Sequence, residues 1–265
     1  MDAAAHFHRE VRAFHDAARK AAEAGDAPTV PSCPDWTMSD LVFHLASVHR
    51  FVIAIIRDRL DGMPDPVALA KAELPADTTG WPAPDRSPTP GPIPATLLDA
   101  FEEGADRLET LFRERPPDDR VWTWSREQTV GFWLRMQVIE AAVHRWDAEN
   151  AIGAPGPIHE EIAVDAVTQT FEVMAPTRRA WTSAPPGAGE RFRFVRTDGS
   201  GVWAVCFDGE RVRLGDGTPD ASDVQLAGTA SDLMLFLWQR IPAEALSVQG
   251  DKAVLDRYFE LVPPI

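Results

Sequence analysis

Glu140 and His144 stand four apart in the run Gln137-Val-Ile-Glu140-Ala-Ala-Val-His144-Arg-Trp-Asp147. On a helix that spacing puts both side chains on one face. Gln137 lies three residues before Glu140, and Asp147 three after His144. A line of polar groups therefore runs down a segment otherwise built of Leu134, Met136, Val138, Ile139, Val143 and Trp146. Polar groups aimed at an apolar interior are costly unless they are paired or bind a metal. A carboxylate and an imidazole one turn apart are donors that suit a divalent cation.

A third donor comes from an earlier helix, Leu41-Val-Phe-His44-Leu-Ala-Ser-Val48-His49-Arg-Phe51, which runs to about Arg59. His44 shares a face with Leu41, Val48, Phe51 and Ile55 and is expected to point inward. His49, about 140° further round the helix, is read as packed or solvated rather than as a fourth ligand. Two imidazoles and a carboxylate suit Zn²⁺ first, with Ni²⁺ or Fe²⁺ as alternatives. Three protein ligands leave a coordination position open, as catalytic sites do. Asp147 is the candidate partner that would fix the tautomer of a ligating histidine. The competing reading is a buried polar cluster in which an arginine holds Glu140.

These donors need elements to carry them. Phe7, Val11 and Phe14 recur at three- and four-residue spacing and predict an amphipathic helix over residues 3–24; its His6, His8 and His15 read as solvated or packed. Pro31 to Thr37 reads as a turn, and Thr37 with Asp40 as a capping pair opening the second helix. Residues 62–94 carry nine prolines, so no regular helix persists there, and the connection is either a lid or a surface crossover. A third helix is predicted over 95–115. The fourth runs from Val130 to Ala151 and stops at Gly153 and Pro155. Four long helices with one long crossover describe a four-helix bundle, a fold that builds metal sites from facing helices. The Trp-rich segment 122–133 reads as core or bundle cap.

Beyond Pro157 the pattern changes. After a helical stretch at 158–175, strands are expected at 191–196, 202–207 and 211–214, joined by Asp198-Gly-Ser-Gly and Asp208-Gly-Glu turns. A strand at 224–226, a helix over 230–240, a short strand at 246–248 and a last helix over 252–261 complete a small α+β domain. The division is 1–155 and 156–265.

Composition narrows the function. A net charge of −15 with no basic stripe excludes nucleic acid as an expected partner, and an anionic membrane surface with it. No run of 18 apolar residues is present, and no signal peptide is read, so the cytoplasm is the expected compartment. Two cysteines, Cys33 and Cys206, make neither a disulfide framework nor a thiolate metal site. Cys33 is read as a buried structural thiol.

The runs Cys33-Pro-Asp-Trp36-Thr-Met-Ser-Asp-Leu-Val-Phe-His44-Leu and Glu140-Ala-Ala-Val-His144-Arg-Trp-Asp-Ala-Glu resemble the mycothiol-dependent maleylpyruvate isomerase family, part of the DinB-like superfamily of metal-binding bundles. The resemblance covers nearly the whole chain. It implies a DinB-like bundle followed by a smaller, sterol-carrier-like α+β domain. Its motif histidine, eight residues after the Trp, falls on His44, and its Glu-x₃-His on Glu140 and His144. A helix-end arginine near the family's active site corresponds to Arg240, which would hold the cofactor or a substrate carboxylate. Where members commonly carry a further His before the metal Glu, Ile139 stands here.

A metal with an open position can bind a thiol and lower its pKa. The resemblance makes that thiol mycothiol, whose thiolate would add to an activated double bond of a small electrophilic substrate and allow cis–trans isomerisation, or would be transferred to an electrophile outright. A water-activating metal hydrolase and a non-catalytic metal-binding module are the alternatives. The chain is expected as a monomer or homodimer.

Overall fold

The computed structural model describes residues 1–65, 74–83, 86–215 and 222–264. Two compact units divide the chain, Met1–Gly156 and Pro157–Ile265.

Among the described residues, the N-terminal unit is a bundle of four helices: α1 (Ala3–Ala24), α2 (Met38–Asp58), α3 (Ala95–Glu114) and α4 (Val130–Ala151). In α1, Phe7, Val11, Phe14, Ala18 and Ala21 form one buried stripe, and Asp2 caps the helix by accepting from the Ala5 N–H at 3.1 Å. The Thr129 hydroxyl does the same for α4, accepting from the Phe132 N–H at 3.1 Å. Residues 136–139 and 141–148 of α4 are all buried, as expected of the helix that the others surround. α1 packs on α4 and α3, and α2 packs on α3 and α4.

The segment before α2 differs from its reading as a turn. Cys33–Thr37 is a short strand, β2, paired antiparallel with β1 (Thr29–Val30). Thr37 and Asp40 form the expected capping pair, with the Thr37 N–H donating to Asp40 at 2.8 Å. By length and composition alone α2 is apolar enough to cross a membrane, although no 18-residue run free of polar groups occurs. Two thirds of its apolar window is buried in the protein, which accounts for that hydropathy as core.

Within the connection 62–94, residues 66–73 and 84–85 lie outside the described residues, so the lid reading applies there untested. Its described end is tied down. The Asp40 carboxylate accepts from Thr37 Oγ1 and Thr89 Oγ1 at 2.8 Å, from the Thr89 N–H at 2.9 Å and from Ser87 Oγ at 3.1 Å. Trp81 donates to Thr96 Oγ1 at 2.9 Å. The Trp-rich segment packs as a ring cluster of Trp122, Trp124, Phe132 and Trp133, capping one end of α4.

The C-terminal unit is a five-stranded sheet with helices. Its strands, β3 (Gly187–Arg196), β4 (Val202–Gly209), β5 (Arg211–Gly215), β6 (Val224–Gly228) and β7 (Ser247–Gly250), lie in the order β5-β4-β3-β6-β7. Among the described strands only the β3–β6 pair is parallel. Gly209 sits at φ +57° in the β4–β5 turn, the left-handed region that favours glycine. The expected helix at 158–175 is α5 (Glu160–Gln169), a π-helical turn at Thr170–Met174, and α6 (Ala175–Thr182). The helix expected over 230–240 is shorter, α7 (Ala230–Leu237), because Gln239 turns to φ +59°. The single last helix is instead two short ones, α8 (Lys252–Asp256) and α9 (Tyr258–Leu261). Phe192, Phe194, Phe207, Phe236 and Tyr258 form its aromatic core. Arg179, 2% exposed, donates to the carbonyls of Leu261, Pro185 and Gly209, tying α6 to two loops and the chain's last helix.

Candidate metal centre

α2 and α4 bring the three sequence-predicted donors together. The ligand atoms of His44, Glu140 and His144 all lie within 4.8 Å of one another. The two imidazole rings meet edge to face with centroids 5.0 Å apart. Nε2 of His144 is 3.3 Å from Glu140 Oε2. His44 is half-buried rather than turned fully inward, and it borders a cavity of about 260 Å³.

Asp147 lies where the spacing suggested. Its Oδ2 is 2.9 Å from Nδ1 of His144, and the residue has no exposed surface. An ionised carboxylate only accepts, so Nδ1 carries a proton, which leaves Nε2 as the nitrogen that would ligate a metal. A residue missed from sequence completes the chain of contacts: Ser32 Oγ donates to Asp147 Oδ1 at 2.5 Å. Ser32 precedes β2, and only the β1–β2 ribbon brings it to α4.

Burial alone would lower the His144 pKa, but the hydrogen bonds and charges of Asp147 and Glu140 outweigh it and hold the imidazole above its ordinary 6.5. Asp40, on the wall of the same cavity, moves the other way. Burial would raise its carboxyl; the donors from Thr89 and Thr37 prevail and hold it below the usual carboxylate range.

The remaining candidates fall elsewhere. Gln137 is buried, with Oε1 lacking a hydrogen-bond partner, and is outside the three-donor cluster. His49 has no exposed surface and is packed, edge-on to Phe7 and stacked on Phe101. Cys33 is half-buried rather than buried, and it is in no disulfide. Arg240 belongs to the C-terminal unit, in the turn after α7 rather than in the helix; its N–H donates to the Leu235 carbonyl at 2.8 Å and its Nη1 to the Trp238 carbonyl at 2.7 Å.

Two imidazoles and a carboxylate, with donor atoms this close and one imidazole held in the ligating tautomer, fit a divalent metal. The family model described as the mycothiol maleylpyruvate isomerase N-terminal domain matches residues 5–149. The model described as the MDMPI C-terminal domain matches residues 161–257. A crystal structure of the mycothiol-dependent maleylpyruvate isomerase shares the fold with a TM-score of 0.61 at 16% identity, covering 94% of this chain and 92% of that one. A histidine-to-alanine mutant of that isomerase aligns with a TM-score of 0.58 at the same identity and coverage. No curated protein matches the sequence.

Proposed function

The chain belongs to the mycothiol maleylpyruvate isomerase family, and from that premise we propose that His44, Glu140 and His144 hold a divalent metal, zinc first, for chemistry on mycothiol. At the coarser level the protein is a metal-dependent enzyme of isomerase or transferase type acting on a small molecule. The finer reading names the thiol as mycothiol and the substrate as an electrophile. When bound, the metal supplies a Lewis acid that lowers the pKa of a coordinated thiol, so that the nucleophile is present as thiolate at neutral pH.

The chain's own residues supply the rest. His44 and His144 offer neutral nitrogen donors, and Glu140 offers charge. Asp147 holds the His144 proton on Nδ1, and Ser32 holds Asp147 in turn. Trp36, Phe43 and Pro82 give apolar walls to the cavity on which His44 opens. Arg240 is assigned to an anionic group of the cofactor or substrate.

The observation that carries this reading is the convergence of three donors within 4.8 Å at the edge of a cavity. The test is mass spectrometry of a reactive electrophile incubated with the metal-loaded protein, with and without mycothiol. A thiol adduct or an isomer formed only with mycothiol is expected. Equal turnover without thiol would make the site a hydrolase and overturn the proposal.

A further inference from the structure

The cavity of about 260 Å³ beside His44 has polar groups on its wall, but they are spent on one another. Asp40, Ser47 and Ser87 line it together with Trp36, Phe43 and Pro82. A serine hydroxyl has one proton to give. Ser47 gives its proton to the Phe43 carbonyl at 2.7 Å, and Ser87 gives its own to Asp40 Oδ1 at 3.1 Å. Neither hydroxyl is left to donate to a ligand.

The Asp40 carboxylate is filled in the same way. Its Oδ2 accepts from the Thr37 N–H at 2.8 Å and the Thr89 N–H at 2.9 Å. Its Oδ1 accepts from Thr89 Oγ1 at 2.8 Å as well as from Ser87. A carboxylate has about four lone-pair sites, so Asp40 keeps its negative charge with no acceptor to spare. Among the described residues no lysine or arginine lines the cavity. Arg50 is committed beside it, donating to Ser47 Oγ at 3.0 Å with its guanidinium 5.9 Å from the centre of the Trp81 ring.

This wall discriminates by charge. A carboxylate entering the space leaves water, meets a fixed negative charge, and finds neither a cation nor a hydroxyl proton to receive it. A cation meets the Asp40 charge but no open carboxylate lone pair. The faces of Trp36 and Phe43 match a flat apolar body. The Trp36 indole N–H is one neutral donor, a match for a single carbonyl oxygen.

We propose that the cavity takes an uncharged, flat apolar part of the electrophile, with a neutral carbonyl as its polar group, and excludes carboxylates. Among activated double bonds that describes an enone rather than a diacid. The assignment rests on the reading of the His44 cluster as the reaction centre, which the Trp36 wall flanks with its ring 5.1 Å from that of His44. The volume suits one ring with short substituents.

Three unreactive probes of similar shape differ in charge: acetophenone is neutral, benzoate anionic and benzamidine cationic. Calorimetry at neutral pH compares them on the full chain, metal-loaded and again after chelation. Acetophenone is expected to bind at least about tenfold more tightly than either ion in both states. Trp36→Ala and, independently, Phe43→Ala are each expected to weaken acetophenone several-fold with parental helical circular dichroism. Trp181→Ala, at an exposed tryptophan of the C-terminal unit, leaves it unchanged. No acetophenone binding, either ion bound as tightly, or parental acetophenone affinity in both cavity variants overturns the proposal. Benzoate preferred only in the metal-loaded chain places a carboxylate on the metal, which also overturns it while the metal reading stands. A preference for acetophenone in a chain that takes up no metal supports the cavity assignment and defeats the metal reading.

Discussion

Asp147 accepts from Nδ1 of His144 at 2.9 Å, and the other nitrogen of the same ring faces Glu140 at 3.3 Å. One imidazole thus joins a buried carboxylate that orients it to a carboxylate offered to the metal. Because Asp147 is 115 residues from Ser32 in sequence yet shares a hydrogen bond with it, the orientation depends on the β1–β2 ribbon as well as on α4.

Asp147→Asn keeps the volume but removes the charge and replaces one of two acceptor oxygens with a donor amide, so the His144 tautomer is no longer fixed. Its metal affinity is expected to fall by about 10–100-fold with little change in secondary structure. Ser32→Ala, one contact further out, should cost less. Competition against a chelator of known affinity measures both.

His49 sets a pH response of the bundle. Burial first, and then the charges of Arg50 and His44, push its pKa down to about 3, and both ring nitrogens lack hydrogen-bond partners. The folded chain keeps His49 neutral, whereas the unfolded chain takes up a proton near the ordinary 6.5. Stability is therefore lost as pH falls below 6.5 and continues to be lost until about 3, with a slope from this group of about 1.4 kcal/mol per pH unit. His49→Leu should flatten that acid limb and stay within about 1 kcal/mol of the parent at neutral pH. Urea unfolding at pH 7, 6 and 5, on metal-free protein, compares the two.

Asp40 holds the end of the proline-rich connection against α2 through Ser87 and Thr89. Asp40→Ala should destabilise the chain by about 2–4 kcal/mol, since several buried donors lose one acceptor together. The stability that Asp40 adds is full above the ordinary carboxyl value of 3.8 and is lost as pH falls through its depressed one. Early proteolytic cleavage within 86–94 in Asp40→Ala, absent in the parent, reports the loosened wall.

Much of this was legible in sequence because it rests on local rules. Helix bounds follow from caps and breakers, as at Thr37, Gly153 and Pro155, and Glu140 with His144 follows from the helical repeat. What escaped depends on distant chain returning. Ser32 on Asp147, and Ser87 with Thr89 on Asp40, have no local signature. Cys33-Pro34 has the residue types of a turn, but pairing with Thr29 and Val30 makes it a strand. His49 sits off the His44 face and yet is buried, because α2 is covered on more than one side. The apolar run that continues to Trp238 predicts a helix through Arg240; the left-handed Gln239 ends the helix first.

Arg240→Met separates binding of the metal from use of the thiol. On the proposed role, metal content stays at the parental level and thiol-dependent turnover falls at least about tenfold. Turnover at the parental rate would remove Arg240 from the reaction.

The most direct measurement is elemental analysis of the purified protein beside His44→Ala, each prepared without added chelator. One divalent ion per chain is expected in the parent and well under one in the variant, with both giving the same helical circular dichroism. A full equivalent of metal in folded His44→Ala would contradict the assignment of His44, Glu140 and His144 as the metal-binding centre.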